Sequence, residues 1–248
     1  MSIGSMRKFI ERIGPEAVKT LMSQRTVLGW TPMHVALAFM RPDICHLFHE
    51  FGGDLLEPEP ETGLTALHYI ARKALADPRN ERVKRWHSWD DRHWKWYHDG
   101  CVQLRQQYLA SGGRVDVPDG DGLTPLMHFL SAGLEAAGEH TCSDDILWKA
   151  FLVLAQEATL NTRAKDGKSA LHVLAAHPRA LVHIPNPFMI QDRQCTEMFE
   201  YLVNHGADPY WEDNDGRSSI DVATLHGNGG IVTAFARQAA GKGNGDGW

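Results

Sequence analysis

Five short lines of this chain are variations on one another. "GWTPMHVA" begins at Gly29, "GLTALHYIA" at Gly63, "GLTPLMHFL" at Gly122, "GKSALHVLAA" at Gly167 and "GRSSIDVA" at Gly216. Each places a glycine two residues before Thr or Ser, then a small residue or proline, an apolar residue and usually histidine. A second signature stands upstream: "GGDL" at Gly52, "GGRVD" at Gly112, "EATLN" at Glu157 and "GADPY" at Gly206. The step from it to the next opening glycine is 11, 10, 10 and 10 residues. Repetition of this kind constrains the fold more than composition does, because one such unit cannot bury its apolar face alone and must stack on its neighbours.

The local chemistry gives each unit its outline. Thr or Ser caps a helix N-terminus, and Pro32 and Pro125 suit the first helical turn. Apolar residues follow at helical spacing, as in Met33, Val35, Ala36 and Leu37. Gly52, Gly112 and Gly206 supply the left-handed conformation that stops a second helix. Asp119-Gly120, Asp121-Gly122, Asp166-Gly167 and Asp215-Gly216 are turn dipeptides. The unit is a helix, a turn, a helix and an extended connection.

The opening lines resemble the G-x-T-P-L-H-x-A start of ankyrin repeats, and the second signature resembles the G-A-D-x-N stretch that closes their second helix. The resemblance covers nearly the whole chain. It implies an all-α fold, an ankyrin-repeat solenoid of stacked helix-turn-helix units with short β-hairpin fingers. A single domain over 1–240 divides into a cap (1–28) and repeats at about 29–62, 63–121, 122–166, 167–215 and 216–238, with a flexible tail at 241–248. The cap is a degenerate unit with helices at 7–13 and 15–23. In this family the histidine of the opening line bonds backbone groups between neighbouring repeats, which is the role expected of His34, His68 and His172.

Three units depart from the family length. Thr31 to Gly52 spans the ordinary 21 residues, but Thr65 to Gly112 spans 47, Thr124 to Glu157 spans 33 and Ser169 to Gly206 spans 37. The excess falls each time in the turn between the two helices, on one edge of a stacked array, so neighbouring insertions can meet. The largest, 74–99, holds four of the eight tryptophans in "WHSWDDRHWKWYHDG". Val83, Trp86, Trp89, His93 and Trp96 fall at helical spacing, so the segment is expected to form an extended helix running into the second helix that follows. Four such side chains carry roughly 600–1,000 Å² of surface, more than a typical monomer leaves bare in one patch. They are expected to be covered, by the other insertions or by a partner.

Composition narrows the function. The chain has 248 residues, 43% apolar and 23% charged, with a net charge of −6. That is enough to bury a core, and it disfavours general nucleic-acid or membrane-surface binding, which needs a basic face. No signal peptide or spanning stretch is evident, and the four scattered cysteines read as reduced thiols, so the expected location is cytoplasmic or nuclear. No phosphate loop, nucleophile elbow or zinc-protease motif occurs. His87, His93 and His98 beside Asp90, Asp91 and Asp99 lack metal-ligand spacing. Cys45 with His49 reads as core cysteine beside surface histidine, and Cys142 near His140 as an inert thiol. No metal or cofactor is expected.

The reading that follows is a protein-interaction module, an adaptor or regulatory protein such as a transcriptional co-regulator. The family implies contact through the fingers and the concave inner helices. The candidate finger residues are Glu57, Glu59, Glu61, Asp119, Asp121, Arg163, Lys165, Asp166, Trp211, Glu212, Asp213 and Asn214, and their largely acidic character favours a basic partner segment. The alternative is a small-molecule-binding or catalytic protein whose insertions form a pocket walled by Trp86, Trp89, Trp94, Trp96 and Tyr97, with Asp90, Asp91, His93 and His183 as polar groups. Between the two stands simple packing of the insertions over the helix edge.

Overall fold

The computed structural model describes residues 3–73, 91–133, 144–176 and 189–242. Among them are twelve α-helices and no β-strand. They come in consecutive pairs: α1 (Ile3–Ile13) and α2 (Pro15–Ser23), α3 (Pro32–Ala38) and α4 (Pro42–Glu50), α5 (Ala66–Lys73) and α6 (Asp91–Ala110), α7 (Pro125–His128) and α8 (Asp144–Ala155), α9 (Ala170–Ala175) and α10 (Met189–Asn204), α11 (Ser219–Leu225) and α12 (Gly229–Lys242). A π-helical turn, Phe129–Gly133, prolongs α7. No helix of the described residues is long and apolar enough to cross a membrane.

The opening lines start the helices as their chemistry requires. Thr31 and Ser218 sit in extended conformation and their hydroxyls accept from the amides of His34 and Asp221. Thr124 accepts from Met127 in the same way. Losing such a cap costs about 1 kcal/mol.

The first helices of the pairs pack in series, α3 on α5, α5 on α7, α7 on α9 and α9 on α11. The second helices pack alongside, α4 on α6, α8 on α10 and α10 on α12. At the N-terminal end α1 lies on α4 and α2 on α3. The core follows this order. Ile10, Val18, Met22 and Leu47 form a small cluster under α1 and α2. A second cluster, with Met33, Leu67, Leu104 and Tyr108, joins α3 to α6. The largest runs from Ala71 and Leu126 through Phe129, Phe151, Leu171 and Phe199 to Ala234. Leu67 and Leu126, at the same place in their opening lines, are both buried.

The short turn joining α3 to α4 carries strain. Met40 adopts φ 45°, a left-handed conformation that costs an L side chain about 1–2 kcal/mol.

The connections between pairs, expected as β-hairpin fingers, are hydrogen-bonded turns of five or six residues with, among the described residues, a single isolated antiparallel bridge, Glu212 with Ser218. Their arms are too short for a ladder to form within one turn.

Candidate interaction surface

Each connection closes the same ring. The amide of its first residue donates to the carbonyl just after the glycine, and the glycine amide donates back. Thr26 donates to Trp30 (2.9 Å), Glu59 to Leu64 (2.8 Å), Asp119 to Leu123 (2.9 Å), Ala164 to Lys168 (2.9 Å) and Asp213 to Arg217 (2.9 Å). We number these turns 1 to 5. Turn 2 holds one extra residue.

Successive turns are also joined to each other through the main chain. The Gly120 amide donates to Thr62 O (2.6 Å), the Lys165 amide to Asp121 O (2.9 Å) and the Asn214 amide to Asp166 O (3.0 Å). All five opening glycines take a left-handed φ, and this contact gives a second reason for glycine at Gly63, Gly122 and Gly167. A Cβ on Gly122 would stand 2.9 Å from the Lys165 nitrogen, and one on Gly167 2.7 Å from the Asn214 nitrogen. Only turns 1 and 2 lack the bond. The donor position in turn 2 is Pro60, which has no amide proton, and its ring packs against Gly29 instead. Turn 1 is tied by side chains: Trp30 Nε1 donates to Glu59 (2.8 Å), and Arg25 reaches both the Gly29 carbonyl and Glu57.

The opening histidines lock turns to helices. The Thr65 amide donates to His68 Nδ1 (3.0 Å), which leaves the ring proton on Nε2 to be donated to the Leu123 carbonyl (3.0 Å). His34 and His172 repeat the arrangement, reaching the carbonyls of Glu57 (3.1 Å) and Arg217 (3.0 Å). Burial holds His68 down to about 4, so it stays neutral at physiological pH.

Three acidic residues read from the sequence as contacts face inward. Glu59 is 2% exposed. It accepts from Trp30 Nε1, from the amides of Glu61 (3.1 Å) and Thr62 (2.9 Å) and from the Thr62 hydroxyl. Asp119 accepts from the amides of Asp121 (2.8 Å) and Leu123 (2.9 Å), and Asp213 from those of Asp215 (2.9 Å) and Arg217 (3.0 Å). Burial opposes ionisation of all three, but these donors outweigh it and hold each carboxyl below its ordinary range. They remain charged and serve as the internal staples of their turns.

The outward side chains are others. Glu61, Asp121, Lys165, Asp166, Glu212 and Asn214 are exposed. Glu57 is half-buried against Arg25. The Arg163 guanidinium lies 4.2 Å from the Trp211 ring and donates to the Glu212 carbonyl (3.0 Å). Trp86, Trp89, Asp90 and His183 lie outside the described residues. Asp91, His93, Trp94, Trp96 and Tyr97 are placed by backbone alone, on the first turns of α6.

One pair was not legible as a site in the sequence. His128 Nε2 donates to Asp119 Oδ2 at 2.6 Å, and its ring stands edge-on to His68 with centroids 5.2 Å apart. His128 occupies the place filled by Val35, Tyr69, Val173 and Val222 in the other units, four residues after the capping Thr or Ser. Burial lowers its pKa despite Asp119, so the pair is a neutral imidazole donating to a carboxylate. The signal was a histidine one place late in "TPLMH", with Met127 where its neighbours carry the locking histidine. Tyr69, at the equivalent place one unit earlier, is pushed up to about 12, by burial and then by the Glu59 charge.

Cys45, Cys101 and Cys195 are buried, and burial pushes the Cys45 thiol up to about 12. No group of metal ligands occurs among the described residues. No protein-family model matches the chain, and no curated protein matches it. What the geometry offers is a braced row of turns with acidic side chains outward.

Proposed function

We propose that the chain is an ankyrin-repeat protein that binds another protein through its row of turns and the adjoining face of the first helices, acting as an adaptor or regulatory module. The observation that carries the reading is the main-chain coupling of successive turns. It ties together the backbone that presents Glu61, Asp121 and Glu212, so little loop ordering is left to oppose association. The acidic side chains favour a partner with basic residues.

The test is retention of proteins from native cell lysate on the immobilised chain. The Glu61→Lys/Asp121→Lys/Glu212→Lys variant, with unchanged circular dichroism, is expected to lose at least one protein that the parent retains in a salt-sensitive manner. Identical retained sets would sink the proposal.

A further inference from the structure

Turn 1 differs from the other four in what it shows to solvent. Its tip is Val27-Leu28, 102% and 54% exposed, whereas every other tip carries charge or amide: Glu61, Asp121, Lys165-Asp166, Asn214-Asp215. Single exposed aliphatics are ordinary on a protein surface. This pair is held in place, however. Arg25 Nη1 donates to the Gly29 carbonyl (3.2 Å) and to Glu57, and the Trp30 amide donates to the Thr26 hydroxyl (3.2 Å). The Val27 amide and the Leu28 carbonyl take no hydrogen bond among the described residues. Of the eight large apolar side chains exposed there, six lie before residue 40: Ile3, Phe9, Val27, Leu28, Val35 and Phe39. Val35 lies on α3, and Phe39 caps its C-terminus four residues on.

Next to this apolar end comes negative charge. Turns 2 and 3, residues 59–64 and 119–123, hold Glu59, Glu61, Asp119 and Asp121 and no Lys or Arg. Stacked turns two chains wide repeat at about 10 Å, so the first acidic tip stands about that far from Val27.

We infer that turn 1 is a knob that inserts into an apolar pocket of a folded partner domain, and that Lys and Arg on the pocket's rim meet turns 2 and 3. The inference rests on the partner-binding reading and specifies its chemistry. A side chain as exposed as Val27 is covered only by a concave surface, which a flat peptide strand lacks. The charge beside it selects a basic rim. The same charge opposes insertion of the tip into an anionic membrane.

The test places a photo-crosslinking phenylalanine at Val27, at Asp121 or at Lys165 and illuminates each protein in native cell lysate. One polypeptide is expected to couple from positions 27 and 121, with the adduct of position 27 mapping to apolar residues flanked by Lys or Arg. With that polypeptide purified, Leu28→Asp is expected to weaken binding at least 100-fold at any salt concentration. Glu61→Lys/Asp121→Lys is expected to weaken it about 10-fold at low salt and less at high salt. Coupling from 121 or 165 without 27 would overturn the knob and leave the partner-binding reading standing. Coupling from no position would remove both. Coupling of the chain to itself, or sedimentation with phosphatidylcholine vesicles that Leu28→Asp abolishes, would also overturn the knob.

Discussion

Turns 3 and 4 have the same backbone ring and opposite electrostatic designs. Turn 3 takes its carboxylate inside, where Asp119 is satisfied by two amides and a neutral imidazole. Turn 4 begins with Ala164 and keeps its carboxylate outside, where Asp166 pairs with Lys168 at 2.6 Å. Turn 5 shares both habits, with Asp213 inside and Asp215 paired to Arg217. Turns 2 and 3 therefore keep a net negative field, while turns 4 and 5 largely cancel theirs. One backbone solution thus serves two purposes: a charged surface in the first half of the row and a nearly neutral one in the second.

The largest expected effect breaks this contrast at its centre. Asp119→Ala leaves the His128 Nε2–H and two turn amides without an acceptor, at about 1–3 kcal/mol for each buried donor left unmade. The expected loss is about 3 kcal/mol in urea unfolding. Asp166→Ala removes an exposed ion pair and is expected to cost under ~1 kcal/mol. Equal losses would show that the two turns do not differ as described.

Acid sharpens the contrast. His68 in the folded chain takes its proton only near 4, against an ordinary 6.5. As pH falls through 6.5 the unfolded chain binds a proton that the folded chain refuses. Stability is therefore expected to fall by about 3 kcal/mol between those two values. Asp119 adds a second loss below the ordinary carboxylate range, since its lowered value means its contribution is present above that range and disappears as pH drops through it. Urea midpoints at pH 7, 5.5, 4 and 2.5 measure both, and His68→Asn is expected to flatten the upper part of the curve.

The glycines separate conformation from contact. Gly122 and Gly216 take nearly the same φ, 81° and 72°, but a Cβ on Gly122 meets the next turn and one on Gly216 meets nothing within 4 Å. Gly216→Ala is expected to cost about 1 kcal/mol from backbone strain alone. Gly122→Ala should cost about twice that or more, read as the difference in thermal midpoint between the two variants. Equal shifts would mean that turns 3 and 4 are not in contact.

The smallest effect concerns the junction of α6 and α8. Arg105 reaches Glu157 at 3.2 Å across it, and Glu157 is well exposed. Glu157→Ala is expected to change stability by under ~0.5 kcal/mol, within the scatter of urea midpoints.

Much of the helical framework was legible in the sequence, because capping residues, turn glycines and apolar spacing are local signals with local causes. The helices at residues 15–23 and 32–38 and the burial of Leu67 and Leu126 follow from them. The direction of the turn carboxylates was not legible. Glu59, Asp119 and Asp213 look like surface acids until the ring closes around them. The spacing of two acids in "DGDG" and "DNDG" held the clue, since the first of each pair is placed to accept the amides two and four residues on. His128 escaped because its partner lies nine residues away in a turn, and helical periodicity does not report such a contact. The tryptophans at 86 and 89 lie outside the described residues.

Pro60 has a consequence for how the molecule comes apart. Turns 2 to 5 are joined amide to carbonyl, so loosening one strips bonds from the next, and that block should open as a cooperative unit. The missing proton at residue 60 removes that main-chain link between turn 1 and the block, and leaves the leading edge held through side chains. Amide protons before residue 58 are expected to exchange with solvent through a lower-energy opening than those of α7 to α12, and Pro60→Ala, which restores a donor opposite the Leu28 carbonyl, should narrow the gap. The chain then has a body tied through its main chain and a leading edge tied through side chains, divided at one imino acid.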